Sequence, residues 1–405
     1  MRDAGRGSGP RGTGAATARA ETGAAAPAGG GRSAHAAARR RWARRLAVAA
    51  VAGSAAAWVL RDVRAALGAP PAGSRAERVR RSPQFRDGAF RNPVPAHVMP
   101  PGSSRQMLRD LLLSRHKRKP AGPVPVVTPD APEPTPEGLH VVWYGHSSVL
   151  VEIEGRRVLF DPVWSERCSP SPLVGPRRLH RPPVPVDRLP LVDAVVISHD
   201  HYDHLDMATV RALTRTQSAP FVVPLGVGAH LDRWGVPADR IIELDWDETA
   251  TIAGVRLTAT AARHFSGRAF TRDNTLWASW ALIGPTRRVF YTGDSGYFDG
   301  YAAIGAAYGP FDVTLMQIGA YGSGWPDIHM TPEQGAAAHL DLRGELLIPL
   351  HWATFNLAFH DWSEPADRLW SEAKARGIRL AVPRPGERVN VDDPPAVDGW
   401  WQTIA

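Results

Sequence analysis

The 405-residue sequence predicts one large α/β domain preceded by a disordered basic tail. Three observations carry that expectation. From Leu139 onward, short apolar runs rich in β-branched residues are interleaved with segments of helical spacing. Several of those runs end directly in histidine or aspartate. The charge also divides sharply: residues 1–135 hold 24 Lys+Arg against 8 Asp+Glu, whereas residues 136–405 hold 24 against 32. A basic appendage on an acidic domain follows. The acidic part repels a nucleic-acid backbone, so no nucleic-acid partner is expected. A single cysteine, Cys168, excludes a disulfide framework and any cysteine-based zinc cluster.

Residues 1–45 read as a disordered Arg/Ala/Gly-rich tail with little to bury. Leu46 to Leu60 is uncharged over fifteen residues, seven of them alanine, so 46–64 reads as an apolar signal or anchor segment. That run is shorter than the roughly 20 residues that span a bilayer. A cleaved signal, an uncleaved anchor and a surface-lying helix all stay open. With ten arginines ahead of it, the segment is expected to meet an anionic membrane surface, with an Ala-rich soluble helix as the alternative. The chain is accordingly expected to be membrane-associated or exported, with a cytoplasmic location as the alternative. Residues 65–135 read as a basic Pro-rich linker. It holds one helical candidate, Ser104–Lys117, and seven prolines between Pro120 and Pro136. The main domain is expected over 136–395, with 396–405 as a C-terminal tail.

Within the main domain, Val141–Trp143, Val149–Ile153 and Arg157–Phe160 form a meander with Glu154-Gly155 as a tight turn, leading into Asp161. Residues 169–190 form a long Pro-rich loop. Asp193–Ser198 is a short buried strand that runs into His199-Asp200-His201-Tyr202-Asp203-His204, after which Asp206 caps a helix bearing Val210 and Leu213. Four candidate metal ligands in six residues, at a strand-to-helix turn, need a partner for their polarity. Imidazole with carboxylate suits Zn²⁺ or a similar transition metal. The pattern recurs: Val255–Ala262 ends at His264, Arg288–Thr292 at Asp294, and Leu346–Leu350 at His351. Ligands at the ends of separate strands can converge on one sheet edge.

His-x-His-x-Asp-His, a later lone histidine, a Gly-Asp turn and a last histidine resemble the ligand order of the metallo-β-lactamase superfamily. Trp143–Glu152, Phe160–Ser165, Gly175-Pro-Arg-Arg178, Asp193–Asp206, Thr292–Phe298 and His351–Phe355 resemble the N-acyl-phosphatidylethanolamine-hydrolysing phospholipase D family within it. The resemblance covers roughly residues 85–390. It implies an αβ/βα four-layer sandwich that holds two Zn²⁺ or similar divalent ions. His199, His201 and His264 would hold one ion, and Asp203, His204 and His351 the other, with Asp294 bridging. Asp161 would accept the free N–H of a ligating imidazole. His146 and His329 match positions near the metals and the reacting group.

The implied reaction is hydrolysis of a phospholipid phosphodiester by a metal-bridged hydroxide. Asp294 would hold the water, and His329 would place the phosphate or protonate the leaving oxygen. One alternative is a zinc-dependent lactonase or other ester hydrolase acting on a soluble substrate. The other is a membrane-tethered binding protein with a structural metal site. Seven ligands with open positions argue against the latter, since structural sites are four-coordinate and closed. Segment Tyr321–Ile328 is more Gly-rich than the family pattern, and some of the fourteen tryptophans could line an acyl-chain groove.

Overall fold

A computed structural model of the chain describes residues 30–98, 100, 102–105, 109, 116–130, 134–268 and 271–405. Two compact units are present, 1–58 and 59–405. The second contains two seven-stranded sheets. By residue range, one runs 388–390, 139–145, 148–153, 156–160, 194–196, 221–224, 241–244, and the other 379–380, 344–350, 311–317, 288–291, 279–283, 255–260, 249–252. In the first, β3 (Leu139–Gly145), β4 (Ser148–Ile153) and β5 (Arg156–Phe160) form the expected antiparallel meander. Strands β6 (Ala194–Val196), β7 (Phe221–Pro224) and β8 (Ile241–Leu244) continue it in parallel. β16 (Arg388–Asn390) pairs antiparallel with β3.

The second sheet mirrors this arrangement. Antiparallel β9 (Thr249–Ile252), β10 (Val255–Thr260), β11 (Ser279–Ile283) and β12 (Arg288–Tyr291) lead to parallel β13 (Phe311–Gln317), β14 (Gly344–Leu350) and β15 (Arg379–Leu380).

Side-chain alternation decides which face goes where. Leu139, Val141 and Trp143 pack between the sheets, together with Val149, Val151 and Phe160. Their neighbours Val142, Tyr144, Leu150 and Leu159 face the other way, onto α3 (Met207–Thr216) and α4 (Gly228–Trp234). On the far side, α5 (Gly300–Tyr308), α6 (Pro332–Asp341) and α7 (Glu364–Arg376) join the core of the second sheet. Helices outside and two sheets inside make the four-layer αβ/βα sandwich. Asp206 caps α3 by accepting from Ala208 N–H at 3.1 Å.

The N-terminal boundaries differ from the expected ones. Helix α1 (Gly30–Ala66) crosses the boundary placed at residue 45, because alanine and arginine favour a helix without any core to bury. The rest of the expected tail, residues 1–29, lies outside the described residues. No helix among the described residues is long and apolar enough to cross a membrane. Of the helical candidate Ser104–Lys117, residues 104, 105 and 109 are helical and 106–108 and 110–115 lie outside the described residues.

The stretch 65–135 is more than a linker. It carries α2 (Gly73–Arg81) and a hairpin, β1 (Phe85–Arg86) with β2 (Ala89–Phe90), and it buries Val79, Phe90 and Val124 in the main core. Its Pro-rich end lies along the domain by backbone bonds, Ala121 N–H to Ile404 O and Val127 N–H to Pro385 O. Nor is 396–405 a tail. Trp400 and Trp401 are buried, and Trp401 Nε1 donates to Asp367 at 2.8 Å. Ten residues carry too little pattern to reveal this, yet two indoles fill a large volume. Trp401→Ala should lower folding stability by about 3–5 kcal/mol in urea or thermal unfolding. An unchanged unfolding midpoint would place the segment outside the core.

Candidate metal centre

Every expected ligand stands where a strand ends at one edge of the sandwich. His146 occupies the β3–β4 turn, and Asp161 follows β5. His199 to His204 follow β6, His264 follows β10, Asp294 follows β12 and His351 follows β14. The backbone turns abruptly at three of them, with φ of 53° at His146, 37° at Asp161 and 64° at His351. L-residues seldom adopt such values, which cluster where function fixes geometry. Gly293, before Asp294, has φ 56°, and a Cβ there would come within 2.5 Å of Ser198 Cβ. Only glycine lets the two strand ends approach so closely.

The side chains converge in two groups around one carboxylate. His201 Nδ1 lies 2.9 Å from His199 Nε2 and 3.2 Å from His264 Nε2, making a nitrogen triad. Asp203 Oδ2 lies 3.5 Å from His204 Nε2, 3.3 Å from His351 Nε2 and 2.8 Å from His146 Nε2. Asp294 Oδ2 stands between the groups, 3.9 Å from His199, 3.8 Å from His264, and 3.1 Å from both His204 and His351. His329 Nε2 approaches the same oxygen at 3.3 Å and is the more open neighbour. Among the described residues, these groups could hold metal ions.

The outward nitrogens show that the donors fit a metal. His204 Nδ1–H donates to Asp161 Oδ2 at 2.7 Å, and His264 Nδ1–H to Ile328 O at 3.0 Å. His199 Nδ1–H reaches Ser198 Oγ at 2.9 Å, the serine hydroxyl itself donating to Asp161. With those protons held outward, the Nε2 lone pairs face inward, as ligation requires.

Burial pushes His199 and His264 well below the ordinary imidazole value and holds His146 down at about 3, so these rings stay neutral. Burial alone would raise Asp203 and Asp294, but the surrounding imidazoles, His204 foremost, hold both carboxyls well below their usual range. Burial opposes a proton on His351, yet Asp294 and Asp203 raise it to about 9. Inward-facing His204 Nε2, His351 Nε2 and Asp294 Oδ1 have no hydrogen-bond partner among the described residues. Buried anions beside unbonded nitrogens are a donor set suited to divalent ions.

A layer that sequence reasoning missed holds these ligands. Asp161 also accepts from Ser198 N–H at 2.7 Å and from Tyr291 Oη–H at 2.6 Å, tying β5 to β12. His146 N–H donates to Thr354 Oγ1 at 2.6 Å. Asp200, inside the six-residue motif but without an assigned role, turns away from the centre. It accepts from His230 Nε2–H at 3.2 Å, Thr275 Oγ1–H at 2.9 Å and Gly267 N–H at 2.7 Å. His230 Nδ1 in turn accepts Ala69 N–H at 3.0 Å.

Buried Arg268 donates to Asp200 O at 2.6 Å, Leu205 O at 2.7 Å and Ala66 O at 2.9 Å, between the rings of Tyr202 and Trp234. One guanidinium thereby clamps the ligand turn to the C-terminal end of α1. The only sequence signal was Asp200 itself, a carboxylate in the motif left over after ligand assignment.

Comparison with known proteins agrees with this geometry. Residues 156–352 match a family model described as a beta-lactamase superfamily domain. N-acyl-phosphatidylethanolamine-hydrolyzing phospholipase D 1 of Caenorhabditis elegans is 36% identical over 252 residues, 59% of this chain and 71% of that one. The chain belongs to the metallo-β-lactamase superfamily. An uncharacterized protein of Mycobacterium tuberculosis is 50% identical over 368 residues, covering 88% of this chain and 98% of its own. A metallo hydrolase from the archaeon Ignicoccus hospitalis aligns with 62% of this chain and 97% of its own, at 25% identity and a TM-score of 0.46. As a superfamily member, the protein is a metal-dependent hydrolase.

Arg268→Met should leave three buried carbonyls without their donor, costing at least about 2 kcal/mol of stability. It should also weaken metal binding by about tenfold or more, read by chelator competition. Metal affinity equal to the parent's would show that the clamp serves the fold alone.

Proposed function

We propose that the protein hydrolyses the phosphodiester of an N-acyl-phosphatidylethanolamine-like phospholipid, in the manner of a phospholipase D, with two zinc ions. The observation that carries this reading is Asp294 Oδ2, which stands between two separate nitrogen groups at the open edge of the sandwich. His199, His201 and His264 would hold one ion and Asp203, His204 and His351 the other, with Asp294 shared. Such ions lower the pKa of water and draw charge from a phosphoryl oxygen.

The chain's own groups do the rest. Asp161 keeps the His204 proton on Nδ1. His146 holds Asp203 through Nε2. His329 donates Nδ1–H to Ala320 O at 2.7 Å, which turns Nε2 toward the reacting space. Protonated at Nε2, it donates to the departing alcohol oxygen.

One feature supports a lipid rather than a soluble ester. In the N-terminal unit, α1 exposes Trp42, Leu46, Val48 and Val51 beside Arg39–Arg41, Arg44 and Arg45, a composition suited to an anionic membrane surface. The tryptophans contribute little to a groove: Trp143, Trp277, Trp280, Trp352, Trp362, Trp400 and Trp401 are all core residues.

The purified protein should carry about two zinc ions per chain. His201→Ala should bring that below one and abolish hydrolysis, whereas His329→Ala should keep the metal and lower kcat about a hundredfold. Metal loss on replacing His329 would make it a ligand. The metal-loaded protein should cleave N-acyl-phosphatidylethanolamine and spare a water-soluble lactone; the reverse preference would replace this reading with a lactonase.

A further inference from the structure

Beside the metal centre, one cleft gathers positive charge with almost no acidic counterweight. The chain at 118–122 and the loop 175–182 line it, together with Trp164, Glu166 and Arg167, around a cavity of about 970 Å³. Six cations line it: Arg118, Lys119, Arg167, Arg177, Arg178 and Arg181. The one carboxylate, Glu166, is already paired with Arg177. Among the described residues, no carboxylate pairs with the other five cations. Like charges held in one concavity repel each other and focus a positive potential within it.

Two of these cations are held rigidly. Arg178 donates to Val163 O at 2.6 Å, Tyr144 O at 3.3 Å and His180 O at 3.3 Å, and its guanidinium lies 5.3 Å from the Phe355 ring centroid. All three acceptors are backbone carbonyls, and burial pulls the group down to about 10 although Asp206 acts on it in the opposite sense. Arg118 donates Nε to Asn356 Oδ1 at 3.1 Å and lies 5.1 Å from the Phe359 ring centroid. Guanidiniums fixed by their neighbours lose little freedom when they bind a phosphate.

The cleft adjoins the centre without sharing a ligand. Arg118, Leu179 and Asn356 also line a narrower pocket whose wall includes His351. His180, on the cleft wall, lies 3.1 Å from the Thr354 hydroxyl that accepts the His146 N–H.

We propose that this cleft is a second anion site, binding a phosphate group through Arg118, Arg178, Lys119 and Arg181. Its guanidinium and ammonium donors match phosphate oxygens, and none of the groups that could hold a metal lines it. The group can come from the headgroup of an anionic phospholipid or from a soluble phosphate. The inference stands on the cleft's own residues and is independent of the proposed reaction.

The test uses the zinc-loaded full chain and the exposed pair in the double variant Lys119→Glu/Arg181→Glu. Calorimetric titration with inorganic phosphate should show affinity falling about tenfold or more in the variant, with zinc content unchanged. The same affinity in parent and variant, or no phosphate binding in the parent, overturns the proposal. Because phosphate also meets metal centres, His201→Ala provides the converse arm. It should retain the cleft's phosphate binding, and loss confined to His201→Ala overturns the proposal as well.

Co-sedimentation with phosphatidylcholine vesicles, with and without phosphatidic acid, separates the sources. Phosphatidic-acid-dependent binding that drops in the double variant identifies the lipid headgroup. Unchanged vesicle binding alongside lost phosphate binding identifies a soluble anion.

Discussion

Two carboxylates, Asp203 and Asp294, among seven imidazoles set the terms for this molecule. Asp294 is buried and Asp203 is mostly shielded, so their charge is answered by nearby protons or by cations. Without a cation, His204 and His351 are driven to carry protons against those carboxylates. Divalent ions held by these side chains would replace that arrangement with direct ligation and release the protons. Metal affinity and folding stability would thereby be coupled.

Bringing the donors together is the work of the whole sandwich. The first sheet supplies His146, Asp161 and the His199–His204 turn, while the second supplies Asp294 and His351. Bonds between the sheets keep those contributions in register. Tyr291 reaches from β12 to Asp161, Trp280 Nε1 donates to Ile197 O at 3.1 Å, and Ala278 N–H donates to Ser198 O at 2.9 Å. Phe160 stacks on Tyr291 with ring centroids 4.5 Å apart, directly beneath the site. A change in sheet spacing would separate the two groups of nitrogens, so core packing and site geometry are one constraint.

The ligands were legible in the amino-acid sequence because each breaks a local rule. A histidine or aspartate at the end of a buried apolar strand has no structural reason to be there unless something binds it. Asp161, His264, Asp294 and His351 each follow such a run, and the alternation in β3 to β5 gave the meander and its layer. The supporting layer was not legible. Arg268 bonds Ala66 across 202 positions, and His146 bonds Thr354 across 208, through residue types that occur everywhere. The ends of the domain were misread for a different reason. Alanine-rich α1 needs no core to be helical, and the burial of Trp400 and Trp401 depends on partners far away in the chain.

The left-handed backbone at His146, Asp161 and His351 bears on how substitutions there should be understood. Asparagine tolerates that conformation, glycine adopts it freely, and β-branched residues resist it. At Asp161, asparagine therefore changes charge while retaining the bend, but valine changes charge and bend together. A mutational scan of these three positions superimposes a conformational ranking on the chemical one. The two separate only when each replacement is compared with glycine at the same position.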